Sequence, residues 1–139
     1  MITLFPPAIR DTNKPRILVV EDNPWSSQRA RLILQQFGQY VVCEENHAVN
    51  ELETARSFSP DLILMDLIMP QLDGAEVAAQ VASDWAFHGV PIVFMTGLVT
   101  PAETRNDQKI DGHRVSSKPV MSSDLLRAIE ETLPYRAAA

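Results

Sequence analysis

Short apolar runs alternate with segments of helical periodicity along most of the chain. Five runs of four to six residues are apolar enough to form strands, and longer polar or amphipathic segments separate them. Parallel strands need crossover connections of that length, whereas antiparallel strands can be joined by a two-residue hairpin. Runs that are mostly apolar indicate strands buried on both faces. The alternation therefore predicts an α/β fold, with one doubly wound parallel sheet between two layers of helices.

The strands and helices can be placed from this alternation. We expect a helix after Asn23, which can act as its N-cap, with Pro24 in the first turn and Gly38 at its end. A last helix is expected to begin with Ser122 or Ser123 as its cap. The predicted strands cover residues 16–21, 40–44, 61–66, 91–95 and 114–117. Further helices are predicted after the second strand and, over residues 74–86, after the third strand. The polar segment 100–112 predicts only a short helix.

The chain has 139 residues, which suits one domain with a single core. The start of the chain is rich in proline and lacks the basic and apolar regions of a signal peptide. We therefore expect an irregular arm over residues 1–14, a single domain over 15–134 and a tail over 135–139. Little sequence follows the last predicted helix, so we expect no output domain in this chain.

Composition excludes several classes of function. No apolar run approaches the roughly 18 residues that a membrane helix needs, so we expect no membrane span. The single cysteine, Cys43, cannot form an internal disulfide, which fits a cytoplasmic location. The net charge of −6 argues against direct nucleic-acid binding by this chain, although a protein partner with a basic surface remains compatible with it.

Polar residues stand at four of the five predicted strand ends. Glu21 and Asp22 follow the first strand, Asp66 ends the third, Thr96 follows the fourth and Lys118 follows the fifth. In open α/β sheets, ligands bind beyond the carboxyl ends of the strands. If the first and third strands are neighbours, the three acidic residues meet in one crevice. That placement explains why the apolar run LILMDLIMP contains a carboxylate.

Three carboxylates in one crevice raise each other's pKa values, and a divalent cation relieves the repulsion. Hard oxygen ligands favour Mg²⁺. A carboxylate beside Mg²⁺ and an ammonium group can attack a phosphoryl group and hold it as an acyl phosphate. The metal and Lys118 would offset the incoming charge, and Thr96 could hydrogen-bond a phosphoryl oxygen. The sequence therefore predicts a phosphoryl-accepting site around Asp66.

Four motifs, taken together and in order, resemble those of response-regulator receiver domains in two-component signalling. They are VVEDN at 19–23, LILMDLIMPQLDG at 62–74, PIVFMTG at 91–97 and SKP at 117–119. The resemblance extends over roughly residues 15–133. It implies a flavodoxin-like (βα)5 fold with strand order 2-1-3-4-5 and a function as a phosphorylation-dependent switch.

The resemblance also implies a role for each residue at the strand ends. Asp66 would be the phosphoacceptor, Thr96 the switch hydroxyl and Lys118 the lysine that pairs with the phosphoryl group. Asp22 would bind Mg²⁺ directly, and Glu21 would bind it largely through water.

Further positions match the family's metal and loop residues. Ile68 would offer its backbone carbonyl to the metal, Pro70 and Gly74 would shape the loop beside the site, and the bond before Pro119 would be cis.

Two positions depart from the family's usual pattern. The family often has an aromatic residue three positions before the lysine, and its rotation reports phosphorylation; here that position is Val115. We therefore expect switching to rely more on Thr96 and on backbone movement. The apolar side chain of Ile68 stands where a polar group could help position attacking water, so we expect an altered lifetime of the phosphorylated form. A dephosphorylation rate unchanged by Ile68→Asn would count against that expectation.

The family resemblance implies partners as well as chemistry. A sensor histidine kinase or a phosphotransfer protein would donate the phosphoryl group. A downstream protein target would bind the face formed by the family's fourth helix, fifth strand and fifth helix. The chemistry would be limited to Mg²⁺-dependent phosphorylation and dephosphorylation of Asp66, so a metabolic enzyme is not expected. The sequence leaves open which kinase and target are involved and whether the chain forms a homodimer.

Alternative functions also fit parts of the sequence. A receiver-like interaction module that does not switch is favoured by Val115 and by the weakly patterned segment 100–112, but the intact acids, Thr96 and Lys118 oppose it. A dehalogenase-like phosphatase or mutase also uses an aspartate nucleophile and Mg²⁺, but it would need a second aspartate where Ile68 stands. A flavin-binding version of the fold lacks support, because no phosphate-binding loop rich in Ser, Thr or Gly follows the first strand.

Overall fold

The computed structural model describes residues 14–67, 69, 74–83, 89–97, 109–110 and 112–133. The strands are β1 (Arg16–Val20), β2 (Val41–Glu45), β3 (Leu62–Asp66), β4 (Ile92–Thr96), β5 (Lys109–Ile110) and β6 (His113–Ser117). The helices are α1 (Pro24–Phe37), α2 (Glu51–Phe58), α3 (Gly74–Ser83) and α4 (Ser122–Thr132), and a 3-10 turn at Ala48–Asn50 precedes α2.

The strands form one sheet in the order β2-β1-β3-β4-β6-β5. Strands β2, β1, β3, β4 and β6 are parallel, and β6 is the strand predicted as the fifth. The predicted parallel order 2-1-3-4-5 is therefore confirmed.

The short edge strand β5 was not predicted. It pairs antiparallel with β6. The prediction of a short helix is therefore wrong at Lys109–Ile110, because a two-residue strand is too short to show an alternating pattern. Residues 100–108 and 111 of that segment lie outside the described residues.

The pairing of β1 with β3 brings two acidic residues to the same height at the sheet edge. Val20 is paired with Met65, so the following residues, Glu21 and Asp66, are level with each other. Lys118 reaches this edge from β6, since its backbone N–H donates to the carbonyl of the last residue of β4 at 2.9 Å. The register alone thus places both acids and the lysine at the carboxyl ends of the strands.

Helices cover both faces of the sheet, as the alternation predicted. One apolar cluster joins the sheet to α1 and α4, and its helix residues are Ala30, Ile33, Leu34, Leu125, Ala128 and Ile129. A second cluster joins the opposite face to α2 and α3, and its helix residues are Ala55, Phe58, Val77 and Ala78. Burial of each large apolar side chain contributes about 1.5–3 kcal/mol, so both helix layers stabilise the sheet. None of the helices in the described ranges has the length and hydropathy of a transmembrane span.

Helix α1 begins and ends where the sequence predicted. Asn23 is the N-cap, and its side-chain oxygen accepts a hydrogen bond from the backbone N–H of Trp25 at 2.9 Å. Pro24 occupies the first turn, where its missing N–H costs no hydrogen bond. Gly38 caps the other end through its N–H, which donates to Leu34. The first helix therefore starts directly after the acidic pair that ends β1.

Helix α4 begins differently from the prediction. Met121 occupies the N-cap and makes no side-chain capping bond. The predicted cap by Ser122 or Ser123 is therefore wrong, because both serines lie within the first turn. Asp124 in that turn is favourable beside the helix N-terminus, where the helix dipole favours negative charge.

Candidate functional site

Three carboxylate groups meet at the carboxyl ends of β1 and β3. Glu21, Asp22 and Asp66 each offer an oxygen, and these oxygens lie within 4.8 Å of one another. Glu21 is 1% exposed and Asp66 is 5% exposed, whereas Asp22 is half-buried. The structure thus brings together the three acids that the sequence placed in one crevice.

The lysine after β6 lies between two of these acids. Lys118 Nζ is 2.5 Å from Glu21 Oε1 and 3.4 Å from Asp66 Oδ2. The peptide bond between Lys118 and Pro119 is cis, as the family resemblance implied. One half-buried ammonium group therefore contacts two buried carboxylates that come from different strands.

The pKa values of Glu21 and Lys118 reflect this crowding. Burial raises the pKa of Glu21 from its ordinary 4.5 to about 7; the hydrogen bond with Lys118 opposes that rise, and Asp66 and Asp22 add to it. Burial alone would lower the pKa of Lys118, but its interactions with Glu21 and Asp66 outweigh burial and raise it. A single ammonium group thus leaves an excess of negative charge at the site.

The residues present fit a hard divalent cation. Carboxylate oxygens are the ligands that Mg²⁺ and Ca²⁺ take in proteins. The oxygens of Glu21, Asp22 and Asp66 are close enough for one ion to contact all three, and a cation would favour the ionised form of Glu21, whose pKa is raised first by burial and further by Asp66 and Asp22. Ile68, whose carbonyl was the fourth predicted ligand, and Pro70 lie outside the described residues.

Thr96 ends β4, the strand next to β3. The residue before it, Met95, is paired with Asp66, so Thr96 lies one residue beyond the height of Asp66 on the neighbouring strand. Its side chain is buried. The fold thus places the predicted switch hydroxyl at the same edge of the sheet as the acids.

Val115 lies in β6, at the position where the family often has an aromatic residue. It is 1% exposed and belongs to the same apolar cluster as Phe94. The rings of His113 and Phe94 form a T-shaped pair on these two strands, with ring centroids 5.3 Å apart and an interplanar angle of 87°. Val115 is therefore a core residue of the face that carries α2 and α3.

One residue at the site was missed by the sequence analysis. Asn46 follows β2, and its side-chain Nδ2 donates to the backbone carbonyl of Glu21 at 2.7 Å and to Ser27 Oγ at 2.8 Å. Asn46 directly follows the observed end of β2 at Glu45, whereas the predicted strand ended at residue 44, so the rule of a polar side chain directly after a strand did not point to it.

Comparison with known proteins agrees with this geometry. The response regulator receiver domain family model matches residues 17–130. Hybrid signal transduction histidine kinase D of Dictyostelium discoideum is 32% identical over 129 residues, which are 91% of this chain and only 8% of that protein. Protein PilH of Pseudomonas aeruginosa is 31% identical over 123 residues, which are 85% of this chain and 97% of that protein.

Solved structures share the fold. Chemotaxis protein CheY4 of Vibrio cholerae has a TM-score of 0.73 at 23% identity, covering 86% of this chain and 99% of that chain. The N-terminal domain of a response regulator receiver protein from Methanoculleus marisnigri has a TM-score of 0.62 at 28% identity, covering 88% of this chain and 98% of that chain. The acidic cluster, the neighbouring lysine, the parallel strand order and the family match agree with one another. The chain therefore belongs to the response-regulator receiver domain family.

Proposed function

We propose that this chain is a phosphorylation-dependent signalling switch in which Asp66 is the phosphoacceptor. Receiver-family membership supports a phosphoacceptor signalling role for the chain as a whole. The observation that carries the assignment to Asp66 is its position among two further carboxylates and the Lys118 ammonium group. That arrangement combines a nucleophile, a cation-binding group and a counter-charge at one edge of the sheet.

In the proposed reaction, a carboxylate oxygen of Asp66 attacks the phosphorus atom of a phosphohistidine. The new O–P bond forms as the P–N bond breaks, and the imidazole leaves and takes a proton from solvent. Lys118 Nζ, which already lies 3.4 Å from Asp66 Oδ2, pairs with a phosphoryl oxygen. The Thr96 hydroxyl donates to another phosphoryl oxygen. Hydrolysis later returns Asp66 to its carboxylate form.

We propose Mg²⁺ as the metal at this site. Asp22 and Asp66 would bind it directly, Glu21 largely through water, and Ile68 through its backbone carbonyl. When bound, Mg²⁺ supplies neutralisation of the negative charge on the phosphoryl oxygens. Support comes from the three hard oxygen donors that lie close together and from the raised pKa of Glu21, which burial causes first and to which Asp66 and Asp22 add.

The proposed partners are a sensor histidine kinase or a phosphotransfer protein as donor, and a protein target as receiver of the signal. The target would bind the face that includes β6 and α4, where a change at Thr96 could reach the surface through the β4–β6 pairing.

We also propose a cytoplasmic location, and a receiver domain over residues 15–134 between an arm at 1–14 and a tail at 135–139. The family match over residues 17–130 supports those bounds.

A receiver-like module that binds partners without switching is the second candidate. Its support is Val115, a buried aliphatic side chain where the family often has a mobile aromatic ring. Beryllofluoride with Mg²⁺, which stands in for the phosphoryl group, would separate the two candidates. A spectral change that disappears in Asp66→Asn supports the switch, and no change in the wild-type protein supports the static module.

The direct test is phosphorylation by a small-molecule donor such as phosphoramidate in the presence of Mg²⁺. Intact mass spectrometry should show one added phosphoryl group on the wild-type protein and none on Asp66→Asn. Asp61→Asn is the matched control, because it changes a half-buried aspartate at the opposite end of β3. Removal of Mg²⁺ by EDTA should abolish the reaction without unfolding the protein.

The proposal makes a sharp distinction between these variants. Phosphorylation of Asp66→Asn at the wild-type level would remove Asp66 as the acceptor. Absence of phosphorylation in the folded wild-type protein, with small donors and with a panel of phosphotransfer proteins, would favour the non-switching module instead.

A further inference from the structure

A chain of polar side chains connects α1 and β2 to the acidic end of β1. Asn46 Nδ2 lies 2.7 Å from the carbonyl oxygen of Glu21 and 2.8 Å from Ser27 Oγ. Ser27 Oγ lies 2.6 Å from Glu44 Oε1, and the other oxygen of Glu44 accepts a hydrogen bond from Arg31 Nε. The chain therefore runs from a half-buried arginine to the backbone of a site residue.

The direction of each hydrogen bond follows from chemistry. The Glu21 carbonyl only accepts, so the amide nitrogen of Asn46 must face it. The second N–H of that amide then points to Ser27 Oγ, which acts as acceptor. The single hydroxyl hydrogen of Ser27 is left for Glu44 Oε1 at 2.6 Å, a charged acceptor closer than the Pro24 carbonyl at 3.1 Å. Every link thus has one donor and one acceptor.

Burial makes these links costly to break. Ser27 is fully buried, and Asn46 and Glu44 are half-buried. Arg31 forms an ion pair with Glu44 at the outer end of this hydrogen-bond network, so the network contains no unpaired carboxylate. A half-satisfied buried network costs more than an apolar contact, so loss of Asn46 or Ser27 should loosen what they hold.

Asn46 and Ser27 hold the turn between β1 and α1, which carries two of the three carboxylates. The Glu21 N–H donates to the Glu45 carbonyl at 3.0 Å, and the Glu21 carbonyl accepts from Asn46. Ser27 N–H donates to the Asn23 carbonyl at 3.1 Å, which fixes the far side of the turn. The turn is therefore restrained on both sides of Asp22.

Mutual repulsion acts against this arrangement, since carboxylates held this close favour moving apart. We propose that Asn46 and Ser27 are positioning residues, which hold Glu21 and Asp22 in place for a divalent cation. The inference rests on the proposed function, because it concerns the Mg²⁺ site of that function. It adds residues that touch neither the metal nor the phosphoryl group.

The test is calorimetric titration of the full chain with Mg²⁺ alone, for the wild type, Asn46→Ala, Asn46→Asp and Ser27→Ala. The matched control is Asp61→Ala. Asp61 Oδ2 accepts a hydrogen bond from the backbone N–H of Arg16 at 2.8 Å, so this control removes a side-chain bond at the opposite end of β1. Thermal denaturation of each variant records any general loss of stability.

The expected result is a graded loss of affinity. Asn46→Ala should raise the Mg²⁺ dissociation constant about tenfold relative to Asp61→Ala, as is typical when a partner of a metal ligand is removed. Ser27→Ala should have a smaller effect, because the bond from Asn46 to Glu21 remains. Asn46→Asp should still bind Mg²⁺ more weakly than Asp61→Ala does, because a carboxylate cannot donate to the Glu21 carbonyl, although its added negative charge attracts the cation.

A second readout needs no metal. The Asn23 N–H donates to Glu21 Oε2 at 3.3 Å, so its hydrogen exchange reports on the turn. In metal-free protein, Asn46→Ala should speed exchange at Asn23 several-fold more than Asp61→Ala does. This readout separates positioning of the turn from a uniform loss of stability.

The outcomes separate this inference from the proposed function. If the wild type binds Mg²⁺ and Asn46→Ala binds it as tightly as Asp61→Ala does, the positioning role is wrong and the proposed function stands. Unchanged exchange at Asn23 would also overturn the positioning role. If the folded wild type does not bind Mg²⁺, the proposed metal site and this inference both fail. Should Asn46→Ala not fold, Ser27→Ala decides the matter by the same comparison.

Discussion

Glu21 is the residue at which burial and charge conflict most strongly. Its side chain is almost fully buried at the end of β1, and its pKa is raised to about 7, first by burial and then by Asp66 and Asp22. Lys118 offsets this only in part. Without a metal, the folded protein therefore keeps a proton on Glu21 to a higher pH than the unfolded chain does.

This raised pKa predicts how stability depends on pH in the metal-free protein. The stabilising effect of protonated Glu21 is complete below its unfolded pKa of 4.5 and is lost as the pH rises through about 7. The glutamine side chain in Glu21→Gln stays neutral at every pH. Over that interval, the free energy of unfolding of this variant should therefore fall by on the order of 2 kcal/mol less than that of the wild type. Urea denaturation in EDTA at about pH 5 and about pH 8 measures the difference. An identical fall in both proteins would contradict the raised pKa.

Lys118 predicts opposite effects on metal binding and on phosphorylation. Its ammonium group contacts Glu21 and Asp66, so Lys118→Gln removes a positive charge that competes with a metal cation for those two side chains. Mg²⁺ should then bind a few-fold more tightly. Phosphorylation by a small donor should slow roughly a hundredfold, because a charge partner of the phosphoryl group is lost.

Calorimetry and a phosphorylation time course test this pair of effects. Lys109→Gln serves as control, because it removes an exposed lysine from the edge strand β5. If Lys118→Gln phosphorylates at the rate of the control, the proposed role of Lys118 is wrong.

At the scale of single residues, the sequence located the charged residues of the candidate site but not the residue that hydrogen-bonds to their backbone. The strand-end rule located Glu21, Asp22, Asp66 and Lys118, because carboxyl ends of parallel strands share one edge. Asn46 was missed because its bond to a backbone carbonyl depends on how β2 lies beside β1, which no local pattern shows.

Arg29 connects two elements that are far apart in sequence. Its Nε and Nη2 atoms lie 3.1 and 3.0 Å from the carbonyl oxygen of Val120, in the loop after Lys118. Arg29→Ala should lower the free energy of unfolding by about 1 kcal/mol, since this carbonyl loses its side-chain donors. Arg29→Lys should recover only part, because lysine lacks the two-pronged donor.

Chemical denaturation checks this prediction, with Gln36→Ala as the control on an exposed position of the same helix. A cost for Arg29→Ala no larger than that of Gln36→Ala would show that the connection adds no stability.

Strand β6 offers a test of how the core accommodates Val115. This side chain is buried in the cluster that contains Phe94, so Val115→Tyr should overpack the site and cost about 1–3 kcal/mol. The same change at Val49, which is 74% exposed, is the control and should cost little. Equal stability of the two tyrosine variants, measured by urea denaturation, would mean that this strand has room for an aromatic ring.

Element prediction succeeded where patterns were long. The parallel strands were placed to within about one residue, and β1, β3 and β4 were the clearest because each has a run of buried apolar side chains. The edge strand β5 and the start of α4 were not, since a two-residue strand carries no pattern and two adjacent serines both satisfy the capping rule. Which serine, if either, caps a helix depends on where the chain leaves the preceding loop.

At the scale of the whole molecule, the sheet order is what makes the site. Strands β1 and β3 are neighbours although β2 lies between them in sequence, and this crossover joins the acids of residues 21–22 to Asp66. The alternation of strands and helices predicted the parallel sheet, but the order came from resemblance to the receiver family. Alternation alone is compatible with several orders, so the convergence of the acids could be stated only conditionally before the fold was known.

The most direct test of the account is a heteronuclear NMR titration with beryllofluoride and Mg²⁺. In the wild type, amide shifts at Asp66, Thr96 and Lys118 should change beyond those caused by Mg²⁺ alone only when both are present, because the phosphoryl stand-in needs the acceptor and the cation together. Asp66→Asn should show no such change. Equal shifts in Asp66→Asn, or none in a folded wild type, would contradict the claim that these strand ends form a phosphoacceptor site.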